Sequence, residues 1–396
     1  MLNSPTLAKK LDIIIPTKNR YSTLVPVVCA ILSKLESQDY RILIYDNTPE
    51  NVRSATLQLP QDHRISYYHE PEDIDAVENF NRAIDLVQSE FAILIGDDDV
   101  VLPTVFEAIA QMERLDLDCL IQHRPTYYWP GVIFNREADF FSSASLQIVK
   151  DISNSVIELN STQELEYALA KGALYLYRLP ALYHGLLRIR ILKRIRESFG
   201  SYVLGPSPDI SVALLIAYSI EQYGMYSTPF SVAGASFNSA AGMGRRGEHS
   251  ATLDRAPAWL PKEMLKKWDP DLPMIWNGFT VYAQSLYLVG KSVNRTVDIN
   301  YEALYKKMLN DNFWDIQFMF GKNVTMRAPK LSTIAFGFLN YMLRTTILHS
   351  PKFLLNALIK TRPAFRILAF YSDIQSPEAC ITKVESHIAN RVDHHQ

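Results

Sequence analysis

The first 122 residues alternate between two hydrophobic periods. Short apolar, β-rich runs stand at 11–16 (LDIIIP), 41–46 (RILIYD), 64–68 (RISYY), 91–96 (FAILIG) and 117–122 (LDCLIQ). Between them apolar residues recur at helical spacing. Leu24, Val27, Val28, Ile31, Leu32 and Leu35 do so in 22–37, and Ile74, Val77, Ala83, Ile84 and Val87 in 74–88; a third such segment is 103–115. Strands alternating with helices predict an α/β fold with a mostly parallel sheet covered on both faces. Ligands of such sheets bind beyond the carboxyl ends of the strands.

Polar residues gather at those ends. PTKNR (16–20) follows the first run, Asp46 and Asn47 follow the second, and Asp97, Asp98 and Asp99 follow the fourth. No GxGxxG follows the first run and no GxxxxGK[ST] occurs, which disfavours dinucleotide and P-loop readings. A nucleotide would instead meet side chains at the loop ends.

Beyond residue 122 the pattern loosens. Segment 124–160 is irregular and aromatic at 127–129, and yields no assignable elements. From 162 to 224 the periodicity is mainly helical. Segment 234–250 (GASFNSAAGMGRRGEHS) has the composition of a mobile loop. After about 256 the chain reads as all-helical, and no internal repeat is visible. The expected organisation is one domain over 1–255, with a nucleotide-binding half (1–122) and an acceptor half (123–255), followed by a helical region over 256–396.

Composition narrows the class. With 396 residues, 48% hydrophobic and 21% charged, the chain is globular rather than disordered. A net charge of -2 gives no reason to expect nucleic acid. Cys29, Cys119 and Cys380 lack metal spacing, and two lie in apolar surroundings, which suits buried thiols in a reducing compartment. The N-terminus lacks a secretory h-region, and no apolar run reaches the ~18 residues of a membrane span. The expectation is a cytoplasmic protein, soluble or peripheral to the inner face of the cell membrane.

The peripheral option has its own signal. No acidic residue occurs between Asp315 and Asp373, while Lys322, Arg327, Lys330, Arg344, Lys352, Lys360, Arg362 and Arg366 do, around apolar stretches at 334–343 and 353–359. Cations beside apolar, aromatic helices suit an anionic membrane surface. A helical subdomain with a solvated basic face, or one meeting another subunit, would read the same way.

The candidate chemistry lies in the acidic residues. Three adjacent carboxylates at a strand end suit a divalent cation, Mg2+ or Mn2+; an acidic turn before a helix N-terminus explains them equally well. Ser207 reads as an N-cap and Pro208 as the first helical residue, which puts Asp209 in a first helical turn. Local rules make Asp209 a partner of the helix dipole. His184 reads as packed. Arg245, Arg246 and His249 end the 234–250 loop and need no role beyond solvation, while Asn19 and Asn47 suit turns and Asp46 a cap.

The motifs DIIIPTKNR, LIYDNTPE and NRAIDLVQSEFAILIGDDDVVLP, in this order, resemble family 2 glycosyltransferases of the GT-A fold, of the bacterial surface-polysaccharide type. The likeness is close over 12–103 and loose to about 240. It implies a Rossmann-like, mostly parallel sheet and a metal-dependent, inverting sugar transfer. The donor would be a nucleoside-diphosphate sugar, UDP-type favoured, and the acceptor a saccharide or lipid-linked oligosaccharide. Pro16, Thr17, Asn19 and Arg20 would surround the nucleotide, with Asp46 on the base or ribose and Asn47 beside it; Asn81 takes the position of the family's Asn before the acidic strand. Registered on Pro103, the first Asp of the family's Asp-x-Asp falls on Gly96 and the second on Asp98. Asp98 is then the metal ligand with Asp99 next to it, and Asp97 lies near the ribose or metal waters; another register pairs Asp97 with Asp99. The resemblance makes Asp209 the catalytic base, although Pro208 stands where the family often has Glu. It also makes Arg245 and Arg246 candidates to grip the diphosphate and His249 a candidate to complete the metal site. A nucleotidyltransferase and a non-catalytic nucleotide-sugar module are the alternatives.

Overall fold

The computed structural model describes residues 9–135, 140–174, 176–257, 259–319, 329–348 and 367–392. In chain order the strands are β1 (Leu11–Thr17), β2 (Tyr40–Asp46), β3 (Ile65–His69), β4 (Phe91–Leu94), β5 (Val100–Val101), β6 (Cys119–Gln122), β7 (Thr126–Tyr128) and β8 (Ser145–Val149). They continue with β9 (Val156–Asn160), β10 (Leu186–Arg188), β11 (Gln222–Tyr226), β12 (Ser231–Ala235), β13 (Ser250–Thr252), β14 (Ile275–Asn277) and β15 (Leu368–Tyr371).

The main sheet has the order β3-β2-β1-β4-β10-β6-β11-β9. Strands β3, β2, β1 and β4 are parallel, as expected; β10 and β9 run against their neighbours. Alternation along β1 sorts its side chains between two cores. Ile13 and Ile15 pack with Leu24, Val27 and Ile31 of the Tyr21–Lys34 helix and with Val105, Ile109 and Met112 of the Val105–Arg114 helix. Ile14 faces the other side, where the Ala76–Asp85, Ile189–Phe199 and Pro208–Ser219 helices lie. Every residue of β1 is buried, the pattern of a strand covered on both faces.

A second sheet, β15-β8-β7-β12-β5, meets the first where β5 follows the three aspartates. Two expectations are corrected. The irregular stretch 124–160 contains β7, β8 and β9, each of three to five residues and too short to show a period. The C-terminal region is mainly helical, as expected, but not wholly so: β14 pairs with β13, and β15 pairs antiparallel with β8. The Pro377–Val392 helix then buries Cys380, Ile381 and Val384 in the core of the Tyr21–Lys34 helix, with Glu378 at 3.8 Å from Lys34.

Segment 234–250, expected as a mobile loop, holds the end of β12 and an Ala240–Arg246 helix, where Ser239 accepts the Gly242 amide as N-cap. The Leu331–Leu348 helix buries Thr333 and packs Gly337 against Leu309, leaving Leu331, Leu339, Met342 and Leu343 exposed. Among the described residues no helix is long and apolar enough to cross a membrane. Lys322, Arg327, Lys352, Lys360, Arg362, Arg366 and the apolar stretch 353–359 lie outside the described residues.

Candidate active site

The ends of β1 and β4, the start of β5 and the end of β12 enclose Asp97, Asp98 and Asp99, all three buried. Each has different partners. Asp97 Oδ2 accepts the Thr17 hydroxyl at 2.6 Å, while its Oδ1 lies 3.1 Å from Arg20 Nη1 and accepts no hydrogen bond. Burial pushes the Asp97 carboxyl up to about 7, against the pull of Arg20 and with the repulsion of Asp98. Asp98 Oδ2 accepts the Ser236 amide at 2.9 Å and stands 3.1 Å from Arg20 Nη2. Arg20 also donates to Ser236 Oγ at 2.7 Å. One guanidinium therefore spans two neighbouring carboxylates.

Asp99 is held differently. Oδ2 accepts from the Gly96 amide at 2.6 Å and from Tyr183 Oη at 2.8 Å, and Oδ1 from the Gly234 amide at 2.6 Å. His184 Nε2 stands 3.1 Å from Oδ2, and its Nδ1 is 2.8 Å from Ser231 Oγ. Against its burial, the His184 contact and these hydrogen bonds hold the Asp99 carboxyl down to about 2. Three hydrogen bonds and the His184 contact occupy this carboxylate. Asp99, expected among the metal ligands, braces the acidic turn against β12 and the 183–184 segment. His184 is packed as expected, and the group it packs against is this brace.

These contacts decide how a divalent cation would fit. Among the described residues no three His, Cys, Asp or Glu side chains converge as a metal cage. The contacts of Asp98 fall on Oδ2, and Asp97 Oδ1 lacks a hydrogen bond. A hard cation fits as a guest of Asp98 and Asp97 that takes its other ligands from water and phosphate, the usual habit of Mg2+.

The residues expected around the donor are mostly locked by neighbours. Pro16 and Thr17 end β1, and the Thr17 carbonyl accepts from the Asn47 amide at 3.0 Å and from Asn79 Nδ2 at 3.4 Å. Asn19 has φ 59° and donates its amide to Thr48 Oγ1 at 2.8 Å, so its turn role holds. Asp46 is fully buried: Oδ2 accepts from Tyr21 and Tyr67, and Oδ1 from the Thr48 amide at 2.8 Å. Asn47 Oδ1 accepts from Lys18 Nζ at 2.8 Å, and its amide group donates to the Glu70 and Glu72 carbonyls. Asn81 lies in the Ala76–Asp85 helix, and its Oδ1 accepts from Ser201 Oγ and from the Tyr202 and Val203 amides at 2.9–3.0 Å. Asn81, expected at the donor, has these contacts on the loop leading to Asp209 instead.

Asp209 sits where the sequence put it, in the first turn of the Pro208–Ser219 helix with Ser207 as N-cap and Pro208 at the first position. The Ser207 hydroxyl donates to its Oδ1, and its charge is the leading cause that pushes the Tyr282 phenol up to about 12. The 245–249 residues are tied up. The Arg245 guanidinium lies 5.1 Å from the Tyr128 ring, Arg246 lies 4.0 Å over Phe237 and pairs with Glu248, and His249 packs 4.3 Å from Trp276. None of these contacts reaches the aspartates.

Sequence reasoning missed Tyr183, Gly234, Ser236 and Trp129, whose Nε1 donates to the Asp98 carbonyl at 2.8 Å. No local pattern distinguishes them, because they reach the site through β12 and the 183–184 segment rather than through a motif.

The profile described as Glycosyl transferase family 2 matches residues 12–169. No curated protein matches the chain. Among solved structures, S. aureus TarS 1–349 in complex with UDP-GlcNAc aligns over 98% of this chain and 92% of its own, at 12% identity and TM-score 0.45. The mannosyltransferase PcManGT from Pyrobaculum calidifontis, in complex with GDP-Man and Mn2+, aligns over 99% and 90%, at 10% identity and TM-score 0.43. The family profile spans β1 to β4, the Asp triplet and the Thr17 and Arg20 contacts around it; residues 12–169 match the glycosyl transferase family 2 model, and the chain is a glycosyltransferase.

Proposed function

We propose that the chain transfers a sugar, with inversion, from a nucleoside-diphosphate sugar to a saccharide or lipid-linked oligosaccharide in surface-polysaccharide synthesis. The observation that carries this reading is the presence of two separate carboxylate sites, one for each role. One is the Asp97–Asp98 pair at the carboxyl ends of β1 and β4; the other is Asp209 at a helix N-terminus that the Asn81-braced loop holds in place. UDP-type donors are favoured by the family resemblance.

Asp209 is the proton acceptor. A helix N-terminus favours negative charge, which suits a carboxylate acting as a general base. It takes the proton of the acceptor hydroxyl while that oxygen bonds to the sugar's anomeric carbon and the sugar–phosphate bond breaks. A single displacement of this kind inverts the anomeric centre. Asp98, with Asp97 beside it, would hold a divalent cation, Mn2+ or Mg2+. Such an ion, when bound, neutralises charge on the departing diphosphate. Thr17 orients Asp97, and Tyr183 and His184 fix Asp99 so that the turn keeps its shape.

The Leu331–Leu348 helix, with exposed Leu331, Leu339, Met342 and Leu343 inside an acid-free run of sequence, supports docking on the inner, anionic face of the cell membrane, beside lipid-linked acceptors. The deciding experiment is a screen of nucleoside-diphosphate sugars that follows nucleoside diphosphate release with and without Mn2+. Release from one donor, increased by a saccharide acceptor, supports the reading; no release from any donor overturns it.

A further inference from the structure

The Arg20 guanidinium lies where a cation would bind. It ends the PTKNR loop and caps the Tyr21–Lys34 helix, yet its side chain turns into the acidic turn. There Nη1 and Nη2 stand 3.1 Å from Asp97 and from Asp98, and Nη2 donates to Ser236. Its charge is poorly matched to what surrounds it. Three buried carboxylates share this one guanidinium and the His184 contact, and Asp97 Oδ1 accepts no hydrogen bond though it is buried. Buried negative charge without full compensation is unfavourable, so the pair is poised for a stronger cation.

A divalent ion and the Arg20 guanidinium compete for the same two carboxylates. The guanidinium needs another partner once displaced, and a planar fork of donors matches a phosphate as well as it matches a carboxylate. Arg20 lies on the loop that follows β1, next to Thr17, on the side where the ligands of an α/β sheet bind.

We propose that Arg20 is the resident counter-ion of Asp97 and Asp98, and that it moves to the donor's diphosphate when a divalent cation takes its place, so that cation and nucleotide enter together. This rests on the donor reading given above. Arg20 then makes free cation binding weak and couples it to nucleotide binding. Coupling of this kind is reciprocal: the cation improves nucleotide affinity by the factor by which the nucleotide improves cation affinity.

The test measures Mn2+ binding to the full chain by loss of the free-ion electron paramagnetic resonance signal, with and without UDP. Wild type should bind Mn2+ about tenfold or more tighter with UDP than without it. Arg20→Gln should bind Mn2+ alone more tightly than wild type, and the gain from UDP should fall below about threefold. Arg20→Lys keeps the charge but cannot bridge both carboxylates, so its UDP gain should lie between the two. If Arg20→Gln and Arg20→Lys both keep the wild-type Mn2+ affinity and UDP gain, the exchange is overturned while the donor reading stands. If wild type binds UDP neither with nor without Mn2+, the donor reading fails, and the exchange fails with it.

Discussion

A β-carbon placed on Gly234 would stand 1.8 Å from the carbonyl oxygen of Asp98. Strand β12 thus touches the acidic turn with its bare backbone, and in the same place the Gly234 amide binds Asp99. Gly234→Ala forces one of the two to move. Overpacking of this kind costs about 1–3 kcal/mol. The expected result is a lower melting temperature together with loss of cation-dependent donor binding. Gly278→Ala, where an added carbon meets nothing within 4 Å, is the matched control and should change neither.

Asp98 and Asp99 should separate by substitution. Asp98→Ala relieves repulsion on Asp97 but strands the Ser236 amide and loosens Arg20, so it should abolish turnover and Mn2+-dependent donor binding with little net change in melting temperature. Asp99→Asn has one acceptor oxygen where the Gly96 and Gly234 amides and the Tyr183 hydroxyl need two, and it should cost about 1–3 kcal/mol by leaving a buried donor unmatched. Denaturant melts of both variants, run beside donor titrations, check the split. Near-normal turnover by Asp98→Ala with unchanged Mn2+ dependence would move the ligand role elsewhere in the triplet.

Asp209→Asn keeps the shape of the first helical turn but cannot take the acceptor's proton. Its transfer rate should fall by ~10² or more, while donor affinity and melting temperature stay near wild type. Normal transfer with a lowered melting temperature would leave Asp209 as a partner of the helix dipole only.

Asn81→Ala tests the brace behind the base. It strands the buried Tyr202 and Val203 amides, which accounts for about 1–3 kcal/mol per unmatched group. Asn81→Ala should lower kcat with the KM for donor little changed, because the loop it releases leads to Asp209. A raised donor KM at unchanged kcat would instead return Asn81 to the donor side.

Asp12 carries a pH signature far from the chemistry. It is fully buried at the start of β1, where Arg41 binds both its oxygens at 2.8 Å and the Gln88 and Ser89 amides add two more bonds. Burial raises its pKa, but these partners outweigh it and bring the pKa below the ordinary 3.8. A depressed carboxyl stabilises the fold above its unfolded pKa, and that contribution disappears as pH falls through the folded value. Asp12→Ala should therefore cost about 3–5 kcal/mol at neutral pH, as for a broken buried pair, and the gap to wild type should narrow below about pH 4. Urea melts at pH 7 and pH 3 read the difference.

The sequence made the first half of the sheet legible because each of its strands is a full apolar run. Ile13, Ile14 and Ile15 could not face water on either side, so the layers around β1 followed. Asp209 was placed correctly for a similar reason: Ser-Pro-Asp before an apolar stretch is a helix start in any context. What stayed hidden depends on contacts across the chain. Asp97, Asp98 and Asp99 look equivalent in a row, and only Tyr183, His184 and Gly234, between 84 and 135 residues away, make Asp99 a brace. Asn81 likewise acquires its contacts through a loop 120 residues further on. The short strands β7, β8 and β15 have too few residues for a period, and pairing rather than pattern creates them.

The C-terminal helix closes over the Tyr21–Lys34 helix, whose first residue follows Arg20. During synthesis the N-terminal part of a chain emerges and begins to fold first. Here Tyr21–Lys34 keeps one apolar flank bare until Cys380, Ile381 and Val384 leave the ribosome. The core around that first helix is therefore incomplete for most of translation, and a chain that stops early lacks the lid of its own first helix.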